Sequence, residues 1–301
     1  MNKKHIYITG IAGMLGSNLA YELKGRYFIS GVDLIEFNMP DVNASIFDIL
    51  DYEKLRFDIE QKKPDIIIHT AAYVDVDGCE RNSDKAYLIN VHLTLLISSI
   101  CSDLGIKLIY ISTDAVYADS NILSKEDDLI QPINVYGITK LMAEHHVLNI
   151  NGLVIRTNIF GINYQNKQSF AEWIIKSLQE GKTIELFHDV LFSPILVNDL
   201  AEIINKIILK DLIGIYNVCS TGYISKHDFG VYLKEKFHIE SGVIIKSSIN
   251  NSNLLARRQK NMSMSNSKIS SKLDIIIKTP KESIISFFKN YNANYFNKEE
   301  R

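Results

Sequence analysis

The stretch His5-Ile6-Tyr7-Ile8-Thr9-Gly10-Ile11-Ala12-Gly13-Met14-Leu15-Gly16 decides how this chain of 301 residues is read. Its first five residues form a short β-rich run, bounded by glycine. Glycines then recur as G-x-x-G-x-x-G, and Ser17-Asn18-Leu19-Ala20-Tyr21-Glu22-Leu23 follows with helical spacing. A strand, a glycine turn and a helix in this order let backbone N–H groups and a positive helix terminus approach a pyrophosphate without side-chain obstruction. Glycine triplets also arise by chance, so the surrounding chain has to decide.

Working outward, a second strand over residues 27–32 ends in Asp33, about 20 residues past the turn, where a carboxylate meets the ribose hydroxyls of a dinucleotide. An acid there repels a 2′-phosphate and favours NAD(H) over NADP(H), although strand ends also carry aspartate for turn geometry alone. Asp48-Ile49 precedes a helical stretch over 52–61. Pro64-Asp65 opens the strand Ile66–His69, which exits through the small residues of Thr70-Ala71-Ala72-Tyr73. A long helix over 83–103 carries Asn90 and leads to a strand over 107–111. This alternation predicts an α/β chain with a Rossmann-type, doubly wound parallel sheet and ligand at the carboxyl ends of the strands. Gly10, Asp33, Ala71 and Thr113 all fall at such ends.

Composition bounds the rest. With 46% hydrophobic residues the chain can bury a large core. Its net charge of -2, with both signs interspersed, presents no basic face for nucleic acid or an anionic membrane. Cys79, Cys101 and Cys219 are scattered, which suits a reducing cytosol and a cytoplasmic location rather than a disulfide framework or a zinc site. The uncharged run over 86–102 holds Asn90 and His92 and falls short of a membrane span. Lys3 and Lys4 ahead of an apolar stretch imitate a signal peptide, but the glycine turn inside that stretch marks a buried first strand. Adjacent His145 and His146 splay to different helix faces, and the cluster Asp75, Asp77 and Glu80 reads as a solvated loop. No metal site is expected.

Tyr136-Gly137-Ile138-Thr139-Lys140 places a phenol and an amine four residues apart, on one helix face. An ammonium beside a phenol favours the phenolate and brings the hydroxyl towards neutral-pH proton exchange. Thr113, ending the run Leu108-Ile109-Tyr110-Ile111, supplies a hydroxyl to hold a substrate oxygen beside it. Alone, Y-x-x-x-K is equally an exposed helix pair; the glycine turn changes that balance.

Together the glycine turn, Asp48, Ala71-Ala72-Tyr73, Asn90, Ser112-Thr113-Asp114 and Tyr136-x-x-x-Lys140 resemble the extended short-chain dehydrogenase/reductase family. The run His69–Asp77, with Ser112-Thr113-Asp114 and Arg156-Thr157, most resembles its dTDP-4-dehydrorhamnose reductase branch. The resemblance spans nearly the whole chain. It implies that Thr113, Tyr136 and Lys140 are a catalytic triad: Tyr136 protonates the carbonyl oxygen, Lys140 lowers its pKa and holds the nicotinamide ribose, and Thr113 hydrogen-bonds the same oxygen. It implies cofactor contacts at Gly10, Gly13, Met14, Leu15, Gly16, Asp33, Asp48, Ile49, Ala71, Ala72, Tyr73, Asn90 and Ser112, besides Tyr136 and Lys140. Substrate contacts are implied at Val74, Val76, Thr113 and Asn158, and at Arg257 and Arg258, in a region that closes over the nucleotide diphosphate in relatives and whose guanidinium groups suit it.

The departures are as informative. Ala115 stands where that branch usually has tyrosine, and Arg156-Thr157-Asn158-Ile159 lacks the tryptophan that packs on the sugar. Two aromatic walls of the sugar site are missing, so the sugar or its nucleotide differs. Ala115 also breaks the acidic pair of the related dehydratases. Further on, residues 168–180 read as a helix with Trp173 in the core, Val197–Leu209 as another, residues 215–218 as a late strand, and Ser225-x-x-Asp228 as a helix cap.

The expected organisation is a dinucleotide-binding domain over 1–156 plus about 194–220, and a smaller mixed α/β substrate domain over about 157–193 plus 221–301. The expected activity is NAD(P)H-dependent reduction of the C4 keto group of a nucleotide-linked 4-keto-6-deoxy sugar, in cell-surface polysaccharide synthesis, with a homodimer compatible. A sugar-nucleotide epimerase and a non-catalytic NAD(P)-binding regulatory subunit, of the methionine adenosyltransferase β type, are the two rivals.

Overall fold

In the computed structural model, which describes residues 3–163 and 168–293, seven parallel strands form the central sheet. Their order is Gly214–Asn217, Leu153–Thr157, Lys107–Thr113, Ile66–His69, His5–Thr9, Phe28–Asp33 and Val42–Ile46. The inner strands are buried along nearly their whole length, as parallel strands covered on both faces must be. The chain works outward from His5–Thr9 in one direction and then in the other. The strand order therefore reverses between His5–Thr9 and Ile66–His69, which pair Thr9 against His69. A crevice opens at such a reversal, and Gly10 and Ala71 leave the sheet on its two sides.

The edge strand Val42–Ile46 was not anticipated. It is half exposed, and its Asn43 and Ser45 hide the β signal. The long helix runs from Ser83 to Leu104 with a π-helical turn over Tyr87–His92. Contrary to the expectation from its uncharged run, it is long and apolar enough to cross a membrane. Part of it is nonetheless core: Leu93, Ile97, Ile100 and Cys101 pack in the buried cluster with Ala143 and Val147 of the neighbouring helix Val135–Asn149.

Beyond Thr157 the chain leaves the sheet, and short strands build a second layer over the crevice. Thr183–Phe187 pairs with Val243–Ser247, and Leu191–Phe192 lies between Ile224–Ser225 and Asn261–Met262. The chain returns through Ile195–Leu196, beside Ile159–Phe160. Helix Val197–Leu209 follows with the bounds read from its spacing, burying Leu200, Ile203, Ile204, Ile207 and Ile208 and packing on helix Met14–Leu23. Helices Phe170–Gln179 and Pro280–Asn292 begin in reciprocal capping boxes at Ser169/Glu172 and Thr279/Glu282. Ser225 accepts the Asp228 amide at 2.9 Å and caps helix Lys226–Lys236.

Candidate active site

A cavity of about 1280 Å³ opens at the carboxyl ends of the strands. Gly10, Gly13, Met14 and Leu15 line one wall. Gly10 turns at φ +72°, and a Cβ there would stand 3.0 Å from the backbone of Ala71. Gly13 precedes helix Met14–Leu23, whose N-terminus has no side-chain cap, which leaves its first amides and its positive end for an anion. This cradle fits a pyrophosphate. Gly16 has a different place from the one expected: it lies behind the turn, where a Cβ would run into the Gly10 carbonyl and the Ile11 backbone. Its part is close packing of helix on turn.

Asp33, Asp48 and Ile49 line the next section. The Asp33 carboxylate accepts the Ala12 amide at 2.9 Å and the Leu34 amide at 2.8 Å, so the acid also locks the glycine turn. Asp48 accepts the Leu50 amide at 3.0 Å in a local turn. Ala71, Ala72 and Tyr73 follow along the strand exit. Asn90 does not line the cavity. It is buried behind that exit, where its carboxamide takes the Tyr73 amide at 2.8 Å and donates to the Tyr73 carbonyl at 3.2 Å and the Thr139 hydroxyl at 3.0 Å. It ties the π-turn, the strand exit and the triad helix together, which is why an amide with both donor and acceptor is needed there.

Thr113, Tyr136 and Lys140 converge on the same cavity. Helix Val135–Asn149 is started by Asn134, whose side chain accepts the Gly137 amide at 2.8 Å and donates to the Arg257 carbonyl at 2.8 Å. The electrostatics run against the expectation for the phenol. Burial pushes the Tyr136 hydroxyl well above its ordinary pKa, Thr113 pulls it down only in part, and the charge of Asp114 adds to the rise. The Lys140 ammonium is turned away, donating to the Ile111 carbonyl at 2.7 Å and lying 4.1 Å from the centre of the Tyr110 ring. Burial lowers Lys140 to about 7, with Glu144 pulling it back up. The phenol is thus held as the protonated acid, the form that can give a proton.

Beneath the triad is a buried network. Arg156 grips Glu144 at 2.7 Å and also donates to the Tyr117 hydroxyl at 2.9 Å, while the Ser112 hydroxyl donates to Glu144 at 2.5 Å. Ser112 thus lines the cavity but spends its proton on the core.

At the far end of the cavity, Val74, Val76, Asn158 and Arg258 line the wall. Arg258 is paired with Asp77 at 2.9 Å. Arg257 does not reach this cavity; it lines a smaller one of about 310 Å³ beside Lys260. Trp173, expected in the core, is 39% exposed, stacks on Phe170 and lines the cavity with it. The reason is helical phase: Ala171, Ile174, Ile175 and Leu178 take the buried face of helix Phe170–Gln179, and Trp173 falls with Lys176 on the opposite face. Three cavity residues were missed as site residues. Asp114 accepts from Thr113 at 3.0 Å and from Asn158 at 2.5 Å; Lys226 and Gln259 stand nearby. Lys226 follows a helix cap and reads in sequence as surface.

Residues 4–293 match the RmlD substrate binding domain family. The chain belongs to that family. Among its relatives is the probable low-salt glycan biosynthesis reductase Agl14 of Haloferax volcanii, 28% identical over 81% of this chain and 84% of that one. The crystal structure of dTDP-4-dehydrorhamnose reductase from Bacillus anthracis in complex with NADP is 27% identical, with a TM-score of 0.86 over 96% of this chain and all of that one. The methionine adenosyltransferase 2 subunit beta of Danio rerio is 26% identical over 88% and 84% of the two chains. The chain's relatives therefore include reductases and a subunit of another enzyme.

Proposed function

We propose that the protein is an NAD(P)H-dependent oxidoreductase that reduces the C4 keto group of a nucleotide-linked 4-keto-6-deoxy sugar for polysaccharide synthesis. The observation that carries this is the convergence of Thr113, Tyr136 and Lys140 on the cavity that the glycine turn opens. A reduced nicotinamide, when bound, supplies the hydride. Gly10, Gly13, Met14 and Leu15 hold its pyrophosphate; Asp33, Asp48 and Ile49 flank the adenosine; Ala71, Ala72 and Tyr73 leave room for the dinucleotide to cross the switch point. Asp33, followed by the exposed apolar Leu34, favours NADH, because a 2′-phosphate would meet an acid there.

Tyr136 donates its proton to the oxygen at C4, and its raised pKa keeps that proton in place until negative charge develops on the substrate. Thr113 turns the proton that it gives to Asp114 towards the same oxygen. Lys140 leaves the Ile111 carbonyl for the ribose hydroxyls and the phenol. Val74 and Val76 flank the sugar, and Arg258 faces the diphosphate. The complete triad speaks against a purely regulatory role. Leu88, Leu95 and Met142, exposed on the two helices beside the triad, support a homodimer through that face. Incubation with dTDP-, GDP-, CDP- and UDP-linked 4-keto-6-deoxy sugars and each reduced cofactor tests the reading: one of them consumes cofactor mole for mole and yields the C4 alcohol. An epimerase would interconvert sugars with no net consumption.

A further inference from the structure

Lys226 enters the sugar end of the cavity from the second layer, at the first position of helix Lys226–Lys236. Its ammonium lies 3.5 Å from the centre of the Phe192 ring and 4.7 Å from that of Phe170, and donates no hydrogen bond among the described residues. It is coupled in charge to Asp114, and each moderates what burial does to the other: burial lowers Lys226 to about 8 and raises Asp114. Asp114 is joined to the Thr113 hydroxyl at 3.0 Å, so the pair stands beside the group that holds the reacting oxygen. A second acceptor waits nearby: Gln259 is 1% exposed, spends its amide on the Ala115 carbonyl at 2.8 Å, and leaves Oε1 without a partner among the described residues. With Ala115 and Ile159 as small or aliphatic neighbours, the polar groups of Lys226, Asp114 and Gln259 are left to meet a hydroxyl-bearing ligand at this end of the cavity.

We propose that Lys226 is the specificity-determining residue of the sugar subsite, donating to the substrate hydroxyl next to the reacting carbonyl while Asp114 accepts from it. A hydroxyl satisfies both partners, whereas a methyl group satisfies neither. In a 4-keto-6-deoxyhexose C4 has two neighbours, C3 bearing a hydroxyl and C5 bearing the methyl carbon, so the hydroxyl is the one at C3. Aromatic faces around the ammonium fix its position, which raises the cost of leaving it unmatched. The inference rests on the reductase reading.

The test is a variant and substrate pair: wild type, Lys226→Met and Lys226→Arg, each assayed with the nucleotide-linked 4-keto-6-deoxy sugar that the panel selects and with its 3-deoxy analogue, with affinity for the matching nucleoside diphosphate as a control for folding. The expected result is a loss in kcat/KM of about 10- to 100-fold for Lys226→Met on the hydroxylated sugar, in line with a charged hydrogen bond. On the 3-deoxy analogue wild type and Lys226→Met fall within about twofold of each other, Lys226→Arg regains part of the loss on the hydroxylated sugar, and affinity for the nucleoside diphosphate is unchanged. An equal loss on both sugars, or no loss, overturns the assignment and leaves Lys226 as a packing cation on Phe192. A wild type that reduces none of the dTDP-, GDP-, CDP- and UDP-linked 4-keto-6-deoxy sugars overturns the reductase reading and the inference with it.

Discussion

The ammonium of Lys140 bonds the carbonyl oxygen of Ile111 at 2.7 Å, not the phenol of Tyr136 one helical turn before it. A buried amine with a neutral acceptor is costly to keep charged, and burial brings Lys140 down to about 7 from an ordinary 10.5. Between about pH 7 and about pH 10 the unfolded chain therefore binds a proton that the folded chain has released, so stability rises with pH across that window and is lowest below it. Denaturant midpoints measured over this range rise in the wild type, and Lys140→Met flattens the rise by up to about 1.4 kcal/mol per pH unit. Parallel wild-type and variant curves would contradict the lowered pKa.

Arg156 and Glu144 are 3% and 2% exposed and meet at 2.7 Å. Removing one partner leaves a buried charge, so Arg156→Met costs about 3–5 kcal/mol in urea denaturation. The double variant Arg156→Met/Glu144→Met recovers much of that, since two apolar side chains leave no orphaned charge. A single variant as stable as the double would show that the pair is not coupled.

Gly16→Ala adds a methyl group against the Gly10 carbonyl and the Ile11 backbone, atoms that cannot rotate aside. It costs about 1–3 kcal/mol of stability and weakens NADH binding by distorting the turn. Calorimetric titration of NADH and thermal melts check both effects; an unperturbed melt would mean that the turn has slack.

Much of this was legible in advance. The glycine turn, the strand ends at Asp33 and Thr113 and the helix Val197–Leu209 obey local rules, because a buried parallel strand and an amphipathic helix each write their environment into a few adjacent residues. The edge strand Val42–Ile46 escaped, since a strand with one free edge and mixed faces leaves a weak pattern. Asn90, Gly16 and Arg257 carry the expected residue types but stand behind or beside the cavity, a matter of tertiary direction rather than spacing. Lys226 and Gln259 were missed for the same reason: their neighbours Asp114 and Ala115 lie more than a hundred residues away in sequence, and a lysine after a cap or a glutamine in a polar loop is locally unremarked.

Asp33 lines the dinucleotide cavity while its carboxylate accepts two backbone amides. Asp33→Asn relieves the repulsion of a 2′-phosphate and shifts the ratio of NADPH to NADH use about tenfold towards NADPH, a difference of about 1.4 kcal/mol. Paired kcat/KM values for the two cofactors measure it. An unchanged ratio would assign Asp33 to locking the turn alone.

The most direct measurement follows the hydrogen itself. The reduced cofactor carrying deuterium at the transferred position is mixed with each of the dTDP-, GDP-, CDP- and UDP-linked 4-keto-6-deoxy sugars, and the product is read by mass spectrometry and NMR for wild type and Tyr136→Phe. The account predicts one deuterium at C4 of the sugar in the wild type, and at least about a hundredfold slower transfer in Tyr136→Phe with NADH still bound. Label that never reaches C4, or transfer undiminished without the phenolic hydroxyl, would contradict it.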